Sequence, residues 1–202
     1  MEDSFVGVLH AIGQALEIPC NLVLIFLIVV TLAQVGHVLI EAFFEIRHGR
    51  LNGISLVREI YGREPDEQRT LLEESRLNKR EKKMLLELLN TVHMEEEMRQ
   101  AIAQRLLAEQ EAYYGRILHI TEMVSKLGPM FGLLGTLIPL GPGIVALGMG
   151  DIQALSASMG MAFDTTIAGV ISAAVCSVLS AVRRRWYKRS MENIELLMEG
   201  IL

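Results

Sequence analysis

Two long stretches without a single lysine or arginine, 1–46 and 127–182, constrain the fold of this chain more than any other feature. All 19 basic residues fall in 47–126 or in 183–189. A compact soluble domain spreads cations over its whole surface, so deserts of this length belong in hydrocarbon. Hydrophobic residues make up 51% of the chain and charged ones 21%, at a mean hydropathy of +0.35; the two classes coexist because they are segregated.

Leu22 to Ile40 is almost wholly apolar. At about 1.5 Å per residue such a run crosses a hydrocarbon core of roughly 30 Å, and with its flanks it predicts a transmembrane helix over 18–44. The residues ahead of it carry Glu2, Asp3 and Glu17 without a basic cluster, and no small-residue cleavage site follows, which argues against a cleaved leader. Val124 to Met149 has only Lys126 near its start, and Leu155 to Val182 has only Asp164. These predict spans over 124–149 and 155–182, joined by a short external turn, 150–154. An external amphipathic helix over 1–17, with Phe5, Leu9, Ile12 and Leu16 on one face, precedes the first span. A cytoplasmic helical region fills 45–123, and a basic cytoplasmic tail ends the chain over 183–202. The fold class is therefore an all-α membrane protein with three transmembrane helices and a long helical cytoplasmic region.

Orientation follows from the cations, because short positive segments stay cytoplasmic. That places the N-terminus outside and the C-terminus inside.

Within the cytoplasmic region, 48–65 reads as a loop broken by Gly49, Gly53, Gly62 and Pro65. From Asp66 the period is helical. Leu85, Leu88, Leu89 and Val92 share a face, and Met98, Ile102, Leu106, Tyr113, Ile117 and Ile120 continue an apolar stripe into the second span. Glu95 to Glu97 suit the first turn of that helix, where the dipole favours acids. A long helix with a narrow apolar face needs neighbours, either other copies or the 66–92 helix of its own chain.

The five histidines are scattered at 10, 37, 48, 93 and 119, and no phosphate loop, HExxH or CxxC is present. No enzyme activity, cofactor or metal site is expected. Cys20 and Cys176 read as buried apolar thiols rather than a disulfide. The basic residues of 47–126 are interleaved with acids, so nucleic acid is not an expected partner.

In the second span Gly128, Gly132, Gly135, Thr136 and Pro139 recur on one side. Small residues let helix backbones approach closely, which is where packing energy comes from in lipid. Pro129, Pro139 and Pro142 predict kinks. In the third span a stripe of small and hydroxyl residues, from Ser158 through Ala162, Thr165, Thr166 and Gly169 to Ser180, lies opposite Met159, Phe163, Ile167 and Val170. Hydroxyls in line can replace ion hydration without a fixed charge; bonding back to their own helix is the commoner fate of isolated ones.

GLLGT at 132–136 and GMAFDTTIAGV at 160–170, followed by the basic tail, resemble the MotA/TolQ/ExbB proton channel family. The resemblance covers the hairpin from about 126 to 185, and the three-span topology is similar to its TolQ and ExbB branch. It implies a homo-oligomeric ring of five in a prokaryotic inner membrane. Spans two and three would line a pore enclosing the single-span helices of a TolR/ExbD/MotB-like dimer, and ion flow would be coupled to mechanical work. Protons are the expected ion, with sodium left open. By the same resemblance the ion pathway falls on Thr136, Thr166 and Thr165, and close helix packing in the pore on Gly132, Gly135 and Gly169. Two departures stand out: Pro139 and Pro142 in the upper part of span two, and Asp164 where the motif has an apolar residue. An intramembrane acid is a functional candidate. At 100° per residue, however, Asp164 lies about 160° around the helix from Thr166, which favours a subunit contact over ion carriage. His37 and Glu41, one turn apart, read as interfacial and structural. The competing reading is a membrane-anchored helical scaffold or signalling protein without ion conduction.

Overall fold

A computed structural model describes residues 11–48, 53–75 and 77–202. Phe5 and Leu9 of the expected external helix lie outside the described residues, while 11–15 are helical. Six helices follow: α1 Glu17–His48, α2 Gly53–Ile60, α3 Pro65–Glu74, α4 Lys79–Leu89, α5 Glu96–Gly148 and α6 Ile152–Ile201. Among the described residues there is no strand. Three helical stretches, Ala11–Phe43, α5 and α6, are long and apolar enough to cross a membrane.

Local chemistry explains the helix starts. Pro65 stands in the first turn of α3, where its missing N–H costs nothing, with Asp66 and Glu67 beside it. Before α4 the Asn78 backbone N–H donates to Glu81 Oε2 at 3.1 Å. Glu96 and Glu97 open α5. The one helix absent from the sequence expectation is α2, inside the stretch read as a loop. Leu56, Val57 and Ile60 pack against a shared core, so tertiary burial overrides the glycine signal. The turn after it is where glycine is needed: Gly62 has φ +76.

The chain divides into two compact units, Met1–Val38 with His119–Ala181, and Leu39–Leu118 with Val182–Leu202. In the first, Leu27, Val124 and Cys176 are buried together, with Val23, Val30, Leu127 and Phe131 around them. The Thr31 hydroxyl donates to Leu27 O at 2.7 Å, and the Cys20 thiol donates to Phe131 O at 3.5 Å. In the second, Ile60, Leu72, Leu85, Leu88, Leu106 and Ile194 are central to one core shared by α2 to α6. The predicted face of Leu85, Leu88 and Leu89 is buried as expected, whereas Met98 is 56% exposed. The segment 183–202 is a continuation of α6 and places Ile194, Leu197, Met198 and Ile201 in that core.

The helix α5 continues through Pro129, Pro139 and Pro142 without a break. Each proline nevertheless leaves the carbonyl four residues earlier without its α-helical donor.

Candidate ion path

The hairpin of α5 and α6 is built on glycine. A Cβ on Gly128 would stand 2.6 Å from Gly169 O, and one on Gly169 would stand 2.5 Å from Gly128 O and 2.9 Å from Gly132 Cα. Farther out, a Cβ on Gly135 would fall 2.7 Å from both Cβ and Oγ1 of Thr165, and one on Gly143 would fall 3.0 Å from Ser158 Cβ. The paired numbers rise on α5 as they fall on α6, which is an antiparallel register with backbones in contact.

The hydroxyls take their places from that register. Thr165 sits against Gly135 and donates to Ala162 O at 2.9 Å. Thr166 crosses the hairpin and donates to Gly132 O at 3.3 Å. Thr136 donates to Leu133 O at 2.6 Å and is half-exposed. Gly132, Gly135, Gly169, Thr165 and Thr166 are thus brought together; Thr136 and Asp164 are not part of that contact. Thr136 follows Gly135, and Asp164 precedes Thr165, so both lie at the depth of the Gly135–Thr165 contact. Each is about 100° around its own helix from that contact. Because the helices run antiparallel, the two residues emerge on opposite flanks of the hairpin. Asp164 is exposed and has no hydrogen bond or ion pair among the described residues.

The second unit holds a polar chain that sequence reading did not assemble. Glu41 at the end of the first span accepts from Arg183 Nε at 3.0 Å and from the Tyr187 hydroxyl at 2.8 Å. Arg183 is 1% exposed, so its charge requires this partner. The Tyr187 ring stacks on Tyr114 at 4.1 Å and 10°. Tyr114 and Ser190 hydroxyls lie 3.0 Å apart, and Ser190 donates to Glu81. Burial, and then the Glu41 carboxylate, push the Tyr187 phenol well above its usual range, and burial raises Tyr114 as well. The available signal was Arg183 itself, first of three arginines directly below an apolar block; its partner lies 142 positions away.

The sequence model of the MotA/TolQ/ExbB proton channel family matches residues 63–196, more than half of the chain. The chain belongs to the MotA/TolQ/ExbB family. It matches none of the curated proteins and none of the solved structures compared with it. The matched range of this MotA/TolQ/ExbB member runs from just before α3 deep into α6. It therefore takes in the glycine-packed hairpin and also Glu81, Tyr114, Arg183, Tyr187 and Ser190. Family membership and the three apolar helices together make the chain a multi-pass membrane protein of a proton channel family, one whose members oligomerise and work with TolR/ExbD/MotB-type partners.

Proposed function

We propose that the chain is an ion-conducting, stator-like subunit of an energy-transducing inner-membrane motor. Five copies form a ring whose spans two and three surround a single-span TolR/ExbD/MotB-like dimer, and proton flow past an acid on the partner helix drives mechanical work. The N-terminus and the 150–154 turn lie outside; the second unit lies in the cytoplasm. The observation that carries this reading is the family match over a hairpin whose backbones touch through Gly128, Gly132 and Gly169, because packing this close leaves one flank of each subunit for its neighbours and one for a pore. Thr136 is assigned to the pore flank, with Thr166 and Thr165 supporting the path from within the hairpin, and Gly132, Gly135 and Gly169 setting its width. Asp164, on the other flank, is assigned to a contact between subunits.

Replacing a threonine by valine keeps the volume and removes the hydroxyl. In vesicles containing the chain and its partner, Thr136→Val and Thr166→Val are each expected to leave the oligomer intact and to lower ion flux at least tenfold. Dissociation of the ring in both variants would make these residues packing groups and remove the pore assignment.

A further inference from the structure

Past its apolar part, α6 sorts its charges by face. Between Asp164 and Glu192 the only charged residues are five cations, Arg183, Arg184, Arg185, Lys188 and Arg189. Arg183 is buried on Glu41, the Tyr187 hydroxyl donates to the same carboxylate, Ser190 donates to Glu81, and Ile194 is buried in the core. These contacts fix how α6 is turned about its axis. At 100° per residue the other four cations then fall within an arc of about 140° on the opposite side, and all four are exposed. Arg185 and Arg189, one turn apart, have no hydrogen bond or ion pair among the described residues. Lys188 meets Glu192 at 3.8 Å in an exposed pair, which is worth little. Trp186, the single tryptophan of the chain, is half-buried and flanks the arc.

We propose that this band of cations binds the phosphate headgroups of anionic phospholipids, and that it takes a lipid with two phosphates in preference to one with a single phosphate. Arg184 to Arg189 cover about 8 Å of helix axis directly after the apolar run that ends at Val182. The headgroup layer on each side of a bilayer is roughly 5–8 Å thick, so the band and the phosphates share a depth. Long basic side chains on the second turn reach back toward that layer, and a tryptophan beside them is an anchor of the same interface. Holding a segment on one side of a membrane needs cations but no particular face. A headgroup site needs them gathered on one exposed face of a helix that cannot turn, and Arg183, Tyr187 and Ser190 hold α6 in that way. Cations one turn apart, about 6 Å, match two linked phosphates better than one. Acids return at Glu192, Glu195 and Glu199, all exposed, starting about 15 Å past Val182 and so beyond the headgroups. Only the passage of α6 through the bilayer is required; ion conduction is not, and in the topology proposed above the lipids belong to the inner leaflet.

Trp186 supplies the readout, because a single tryptophan reports on this band alone. The full-length chain is reconstituted in phosphatidylcholine vesicles carrying a minor fraction of a lipid brominated near the top of its acyl chains, at equal bromine content: phosphatidylcholine, phosphatidylglycerol or cardiolipin. Bromine quenches indole fluorescence only at short range, so quenching reads which lipid resides beside Trp186. Brominated phosphatidylglycerol is expected to quench more than brominated phosphatidylcholine, and cardiolipin more again, with a preference that fades as salt is added. Arg185→Gln combined with Arg189→Gln is expected to lower the apparent affinity for cardiolipin at least tenfold, as for two cations removed from an anionic surface. Arg185→Lys with Arg189→Lys keeps the charge and should retain most of the affinity, and unchanged melting midpoints show that each variant is folded. Equal quenching by anionic and neutral lipids overturns the proposal, as does a preference that survives the double glutamine substitution. Quenching by none of the brominated lipids means that another copy of the chain covers the band, and overturns it too. Soluble glycerol phosphate at constant ionic strength should not displace the lipid; displacement would make the occupant a free phosphate and remove the lipid assignment. Equal affinity for phosphatidylglycerol and cardiolipin would overturn the two-phosphate match.

Discussion

At the scale of single residues, Asp164 and Arg183 are opposite cases of one rule, that a charge in an apolar setting needs a partner. Arg183 has found a partner within the chain, and Asp164 has none among the described residues. If Asp164 ties neighbouring subunits, Asp164→Asn retains ring and flux, while Asp164→Leu weakens assembly by about 1–3 kcal/mol by stranding the group opposite. An assembled but inactive Asn variant, measured by flux and by native mass spectrometry, would instead place Asp164 in the ion path. Around Arg183, Glu41→Gln removes the carboxylate that lies 3.0 Å from a buried guanidinium. A loss of about 3–5 kcal/mol is expected in denaturant melts. The tyrosines add a pH dependence. Below the ordinary phenol value of 10.0 both folded and unfolded chains keep Tyr187 protonated, and stability is complete. Above it the unfolded chain releases the proton while the folded chain holds it, so stability falls as the pH rises. Melting midpoints above pH 10 should decline more steeply in the native chain than in Tyr187→Phe.

At the scale of elements, the spans were legible because hydrocarbon imposes a length and a composition that few other segments satisfy. The glycine face of span two was legible for the same kind of reason, since small residues at intervals of three and four have little other use in lipid. What periodicity did not reveal is α2: eight residues bounded by glycines carry too little pattern, and only the pocket they fill makes them helical. Nor did it reveal that 183–202 is structural, because five cations in seven positions hide the apolar residues that follow. The hairpin offers a sharp test of its own. A methyl group on Gly169 meets backbone on α5 rather than a flexible side chain, so Gly169→Ala must push the helices apart. Loss of the assembled oligomer on size exclusion is expected, whereas Gly160→Ala, where a Cβ meets nothing within 4 Å, should assemble normally.

At the scale of the whole molecule, charge segregation carried the number of spans, and the orientation proposed above rests on the same cations. Cysteines placed at Asp151 and Glu195, both exposed, offer a direct check. A membrane-impermeant thiol reagent applied to intact cells should label Asp151→Cys and spare Glu195→Cys, and equal labelling would reverse or break the topology. Long-range partners such as Glu41 with Arg183 stayed out of reach for a plain reason: many acids could have served, and the choice among them depends on how helices distant in sequence are packed. The glycine contact between α5 and α6 carries a mechanical consequence. Ordinary helices slide because a layer of side chains between them can change rotamer, but here carbonyl meets glycine with no such layer. Each hairpin is therefore a stave that moves in one piece, and in the proposed ring whatever breathing occurs belongs at the seams between staves.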